Sequence, residues 1–327
     1  MTVTVALAGD TMLGRGVAAR LAAGGRGREL FAEEVRAALA DADLFVLNLE
    51  CCISERGERW PQPGKRFFFR APPCAAEVLA ELGVDCVTLA NNHALDYGFD
   101  ALADTLARLG EVGVRAVGAG PEVGAARAFQ VLEAAGTRLA VLGVADHPED
   151  FAATPDRPGT AWADLHGGAP GWLEELVVRA SAAADAVLVT PHWGPNMTAR
   201  PPPHVRRAAC ALLDAGATLV SGHSAHVFHG VAHSILHDMG DFIDDYAVHP
   251  ALRNDLGLLF LATLDAPPGG RCRPVRLEAL PLLLEPGRTS AAHGEAWEWV
   301  CERFACACSE FGTSTATRGD RLVVDWS

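Results

Sequence analysis

Apolar positions along the chain fall into short β-branched runs separated by stretches with helical spacing. The runs at 3–8, 44–47, 86–89, 115–117, 186–190 and 218–221 predict buried strands. Between them, residues 29–40, 73–82, 99–109, 124–128, 171–184 and a segment ending at Gly216 predict helices, and this alternation predicts a layered α/β core. Phe67-Phe68-Phe69 predicts an aromatic strand, and residues 129–133 and 138–144 a hairpin closed by Ala134-Ala135-Gly136-Thr137. Further on, 227–232, 234–239 and 256–264 read as a strand meander interrupted by an acidic turn from Gly240 to Tyr246. A strand at 275–284 and an amphipathic helix at 291–309 end the pattern. Trp297 and Trp299 are two apart on that helix and face different ways, so one is open to cover a cleft if both are not core.

The polar exceptions gather where strands stop. Val87-Thr88-Leu89-Ala90 turns directly into Asn91-Asn92-His93 and then Asp96, more polar groups than a helix cap requires. Asp10 follows the first run, Asn48-Leu49-Glu50 the second, His192-Trp193-Gly194 a later one, and Gly222-His223-Ser224-Ala225-His226 another. One His or Asp after a strand is ordinarily a cap. Five such ends on one sheet edge predict a metal or acid–base site, because the crevice beyond the carboxyl ends of strands is where α/β folds bind ligands. The Pro- and Gly-rich segment 146–170 is long enough for a lid; its His147 and His166 lack partner spacing and read as solvent-exposed.

Composition narrows the partners. The 327 residues are half hydrophobic and carry a formal charge of -14, which excludes a nucleic-acid backbone as ligand. Lysine occurs once, at Lys65, in a chain rich in arginine and alanine, and this reads as base-composition bias. No signal core or bilayer-length apolar run is visible, so the expected location is cytoplasmic, without a membrane partner. Nine cysteines without zinc-finger spacing read as reduced; Cys51 and Cys52, next to Glu50, are open to a pocket-lining role or to packing.

Seven ordered blocks carry a resemblance. Gly9-Asp10-Thr11-Met12-Leu13-Gly14-Arg15, Asn48-Leu49-Glu50, Phe69-Arg70-Ala71-Pro72-Pro73, Leu89-Ala90-Asn91-Asn92-His93, Gly118-Ala119-Gly120, His192-Trp193-Gly194 and Gly222 to His226 resemble the CapA, or poly-γ-glutamate synthesis, family. The resemblance implies a four-layer α/β/β/α sandwich of the metallo-dependent phosphatase type. It also implies a catalytic domain over 1–265, with a C-terminal strand and helix over 266–327 packed on it. By the same resemblance Asp10, Glu50 (as bridge), Asn92, His192, His223 and His226 are metal ligands for one or two divalent ions (Mn, Zn, Fe or Ca), and His93, oriented by Asp96, is the acid or base. The chain departs from the pattern at Met12, where the wider superfamily has histidine, at Ser224 and Ala225, at Asn196, and at Asp241, where asparagine is usual.

These departures weigh between functions. Hydrolysis of a phosphoester or amide, with CapA-like chemistry, is one expectation. The other is inversion of a Cα, at the C-terminal residue of a ribosomal precursor peptide, as in cytoplasmic lasso-peptide epimerases of this branch. Met12 would leave a metal open to the peptide carboxylate, and His93 and Asp241 would serve as proton carriers on opposite faces. Epimerisation of a peptide substrate is the leading expectation from sequence, with the hydrolase as its alternative.

Overall fold

The computed structural model describes residues 2–61, 63–267 and 270–326. Its ten-stranded sheet runs in the order Ala316–Arg318, Arg321–Asp325, Arg273–Glu285, Leu256–Asp265, Thr2–Thr11, Leu44–Leu49, Cys86–Thr88 and Arg115–Val117. Asp241–Ile243 adds to Thr2–Thr11, and Arg288–Ala291 to Arg273–Glu285. Pairing is parallel from Thr2–Thr11 through Arg115–Val117 and antiparallel on the Leu256–Asp265 side. A six-stranded sheet runs Val231–Ala232, Ile235–Leu236, Leu219–Ser221, Ala186–His192, Thr137–Ala145 and Gln130–Ala134, with its central strands parallel.

Strand alternation decides what each face meets. Val3, Val5, Leu7, Leu44 and Val46 share one apolar cluster with Leu139, Val141, Ala186 and Leu188 of the other sheet, so the two sheets face each other. The intervening positions Ala6, Ala8, Phe45 and Leu47 join Val17, Val35, Leu79 and Leu102 from helices. On the far side, Leu142, Val144, Val187 and Val189 meet Leu173, Val177, Ala209 and Leu212. The result is a mixed α/β sandwich. The helix Gly98–Glu111 shows how sequence drives this, burying Ala101, Leu102, Thr105 and Leu109 on one stripe. Each large apolar side chain so buried contributes about 1.5–3 kcal/mol.

Two expectations need correction. The meander at 227–239 shrinks to two short strands, because the Asp238 carboxylate accepts the N–H groups of Ala225 and Gly240 and holds the flanking backbone in turns. Phe67 to Phe69 form no strand; the pairing is only Arg70–Ala71 with Cys52–Ile53, and Phe67 is left exposed. A helix, Arg15–Ala22, follows the first strand, anchored by buried Val17 and Leu21 one turn apart. The tryptophans of the last helix are engaged rather than free to cover a cleft, Trp299 packed on the core edge-on to Phe228 and Trp297 donating to the Asp320 carbonyl at 3.4 Å. Among the described residues no helix is long and apolar enough to cross a membrane.

Candidate active site

The first strand delivers the central carboxylate. At Gly9 a Cβ would lie 1.8 Å from the Gly240 carbonyl oxygen, so only glycine lets the two segments meet. The Asp10 N–H then donates to that carbonyl at 2.9 Å, and Asp10 comes into register with Asp241 on the adjoining strand. From the other sheet, His192 ends Ala186–His192 and bridges to His223 just beyond Leu219–Ser221. Both strand ends therefore empty into one crevice, as the parallel topology requires.

Asp10 binds on both oxygens. Oδ1 accepts from Asn48 at 2.7 Å and stands 3.4 Å from His223 Nδ1; Oδ2 accepts the Ser224 N–H at 3.3 Å and lies 3.3 Å from His226 Nδ1. Ser224 and His226 reach these positions with φ of 107° and 58°, left-handed values that cost side-chain-bearing residues about 1–3 kcal/mol each. His226 Nδ1 also stands 2.8 Å from Asp241 Oδ1, and Asn196 Nδ2 lies 3.3 Å from its Nε2.

Within this cluster lie two groups that could hold a metal ion: Asp10, Glu50 and His192, and Asp10, His226 and Asp241, each with donor atoms within 4.8 Å of one another. The carboxylate common to both is Asp10. Several donor atoms of this cluster are buried without a hydrogen-bond partner, namely Glu50 Oε1, His192 Nε2, His223 Nε2 and Asp241 Oδ2; Asn92 Oδ1, outside these two groups, is also buried and unpartnered. Orphaned oxygens and imidazole nitrogens converging in one place fit a divalent cation.

The electrostatics agree. Burial opposes the charge of Asp10, but the His223 hydrogen bond and the nearby His226 and His192 outweigh it and hold the carboxyl below its usual range. Burial drives Glu50 well above that range, with the Asp10 charge adding to it. Burial does the same at Asp241, reinforced by Asp244 and Asp10. His192 is pushed well below the ordinary imidazole value by burial and is a neutral donor. Burial also pulls His226 down, yet Glu50 and Asp10 prevail and its pKa ends above the ordinary value. Such a set of buried carboxylates is short of positive charge.

Next to the cluster stands an acid–base pair. His93 Nδ1 meets Asp96 Oδ2 at 2.6 Å, and the same oxygen accepts the Phe69 N–H at 2.6 Å. The Phe69 ring stacks on His93 with centroids 4.1 Å apart. A hydrogen-bond chain ties the backbone that carries the pair to the carboxylates: the His93 backbone N–H to Asn91 Oδ1, Asn91 Nδ2 to Asn48 Oδ1, Asn48 Nδ2 to Asp10. Burial lowers the His93 pKa, and Asp96 offsets only part of it.

Three residues have roles the sequence did not reveal. Lys65, read as compositional noise, is nearly buried with Nζ 3.0 Å from Asp96 Oδ1 and 2.7 Å from the Asn92 carbonyl. Its being the chain's single lysine was the available signal. Tyr246 donates to Glu50 Oε2 at 3.3 Å. His147, expected in solvent, is half-buried with its ring 5.2 Å from that of His192; His166 is exposed as expected. Cys51 and Cys52 are fully buried, with burial pushing the Cys51 thiol up to about 12 and the Cys52 thiol higher still. Asp241 sits beside Asp10 in strand register and within hydrogen-bond reach of His226.

Residues 4–246 match the family described as bacterial capsule synthesis protein PGA_cap. The chain belongs to that family. A PGA_cap relative in Mycobacterium tuberculosis, named a probable polyglutamine synthesis accessory protein, is 31% identical over 98% of this chain and 95% of its own. The PGA biosynthesis protein CapA of Bacillus subtilis is 28% identical over 72% of this chain and 62% of its own. The capsule biosynthesis protein CapA of Bacillus anthracis is 27% identical, covering 74% and 60%.

Proposed function

We propose that this chain is a metal-dependent hydrolase of CapA type that cleaves a phosphoester or amide bond in an anionic substrate related to poly-γ-glutamate. On this reading the sandwich is the four-layer arrangement of the metallo-dependent phosphatases, with residues 266–327 completing the same domain. The observation that carries it is the His93–Asp96 pair beside a cluster of metal-type donors, its backbone anchored to that cluster through Asn91 and Asn48. Asp10, Glu50, Asn92, His192, His223 and His226 would hold the ion or ions. When bound, a divalent cation supplies Lewis acidity to the scissile group and lowers the pKa of water.

The side chains supply the rest. Asp96 on Nδ1 fixes the His93 tautomer and leaves Nε2 to carry a proton. Its lowered pKa keeps His93 neutral at pH 7, set to take a proton from water and return it to the leaving group. The stacked Phe69 ring limits its rotation, and Tyr246 steadies Glu50. Inversion at a peptide Cα needs a second proton carrier opposite His93. Asp241, 2% exposed and bonded to His226, is engaged elsewhere, and the names of the relatives point to polyglutamate and capsule chemistry, so hydrolysis is the reading adopted.

The test is to incubate the Mn2+-loaded full chain with poly-γ-glutamate and with bis-p-nitrophenyl phosphate. Cleavage should occur with at least one of them, and His93→Ala should lower it by about 10²–10⁴-fold at unchanged metal content. Solvent deuterium entering a peptide Cα without any bond cleavage would replace hydrolysis with epimerisation.

A further inference from the structure

We propose that Asp241 is itself a metal ligand, forming one metal position with Asp10 and His226. The inference rests on the metal-dependent reading above and adds a residue to it. Met12 cannot contribute at this position: its side chain is fully buried in the helix-side core, and its sulfur accepts the Gly14 N–H at 3.1 Å. The geometry supplies a substitute from the neighbouring strand. Asp10 and Asp241 are paired in parallel register, so their carboxylates emerge side by side. Asp241 Oδ1 and Asp10 Oδ2 lie 2.8 Å and 3.3 Å from the same His226 nitrogen, and donor atoms of all three residues fall within 4.8 Å.

Apart from its single contact with His226, this carboxylate faces other acids, Asp244 and Asp10. Asp241 Oδ2 is buried without an N–H or hydroxyl donor, and Asp244, whose carboxyl lies within hydrogen-bond reach of it, likewise has an Oδ2 without one. Arg15, the cation at the rim, is engaged with Asp245 at 3.2 Å. A carboxylate that only oriented His226 would use one oxygen and leave the second solvated or paired with a donor; here the second is buried near another carboxyl, an arrangement that needs a cation or a shared proton. Two carboxylates and an imidazole make a hard, oxygen-rich site suited to Mn2+ or a similar divalent ion. The same placement removes Asp241 from the list of free proton carriers.

Equilibrium dialysis of the full chain against Mn2+, read by elemental analysis, tests this. The wild type should bind Mn2+, and Asp241→Asn, which keeps an oxygen to accept from His226 but loses the charge, should weaken one equivalent by about 100-fold or more. A change below about threefold would reduce Asp241 to an orienting partner of His226 and overturn the proposal. Absence of Mn2+, Zn2+ or Fe2+ binding by the wild type would instead overturn the metal-dependent reading, so the two failures are distinguishable. A crystal structure of the Mn2+-loaded wild type gives a check that needs no variant. An ion within roughly 2.0–2.6 Å of an Asp241 oxygen supports the assignment. An ion bound by Asp10 and His226 but well beyond that range from Asp241 refutes it.

Discussion

Lys65→Met isolates the buried ion pair behind the acid–base dyad. The substitution keeps most of the apolar stem, which lies against Phe68 and Phe151, and removes the ammonium. Asp96 has no exposure, and Lys65 only 10% in its side chain, so the change strands a carboxylate in the interior. Removing one partner of such a pair costs about 3–5 kcal/mol. With an unfolding entropy of roughly 2.1 cal/mol/K per residue, the 327-residue chain should lose roughly 4–7 °C in Tm. Scanning calorimetry of metal-free protein at about pH 8, above the ordinary imidazole range, measures this with His93 neutral. Adding Asp96→Asn removes the stranded charge, so the double variant should be less destabilised than the sum of the singles. The Lys65 charge also helps to depress the His93 pKa, so its removal should move that pKa, and the corresponding limb of the pH–rate profile, upward. A loss under about 1 kcal/mol, or strict additivity in the double variant, would refute the reasoning.

Acid should destabilise the protein through two core histidines. Burial pushes His229 and His237 each down to about 4, with the bonds to the Thr198 and Gly230 carbonyls only partly opposing it. Between there and the ordinary 6.5 the unfolded chain holds more protons than the folded one. Stability is therefore complete above that window and falls as pH drops through it, by up to about 1.4 kcal/mol per pH unit for each histidine. Urea midpoints that stay flat across the window would contradict this. Gly9→Ala places a Cβ 1.8 Å from the Gly240 carbonyl and must push apart the strands bearing Asp10 and Asp241; we expect a loss above about 3 kcal/mol together with weaker Mn2+ uptake. A variant with wild-type melting and metal content would show that the close approach is dispensable.

Local pattern determined the alternating core, since strand and helix periods are written into consecutive residues such as Val3 to Ala8 and Ala101 to Leu109. It also marked Asp10, Glu50, Asn92, His93, His192, His223 and His226, because each interrupts an apolar run where a strand ends. The sequence could not indicate what Lys65, His147, Asp241 and Tyr246 do. Lys65 lies in a loop, and its partners Asn92 and Asp96 are brought to it only by folding. His147 carries no spacing signal; it meets His192 because parallel pairing sets Ala145 against His192. Asp241 read from sequence as a proton carrier in an acidic turn; strand register sets it against Asp10, across more than two hundred residues of chain. Tyr246 reaches Glu50 from the segment that follows. Periodicity is a property of neighbours in sequence, whereas charge compensation and ligand geometry depend on which strand ends the two sheets bring together, and that was decided by the tertiary structure.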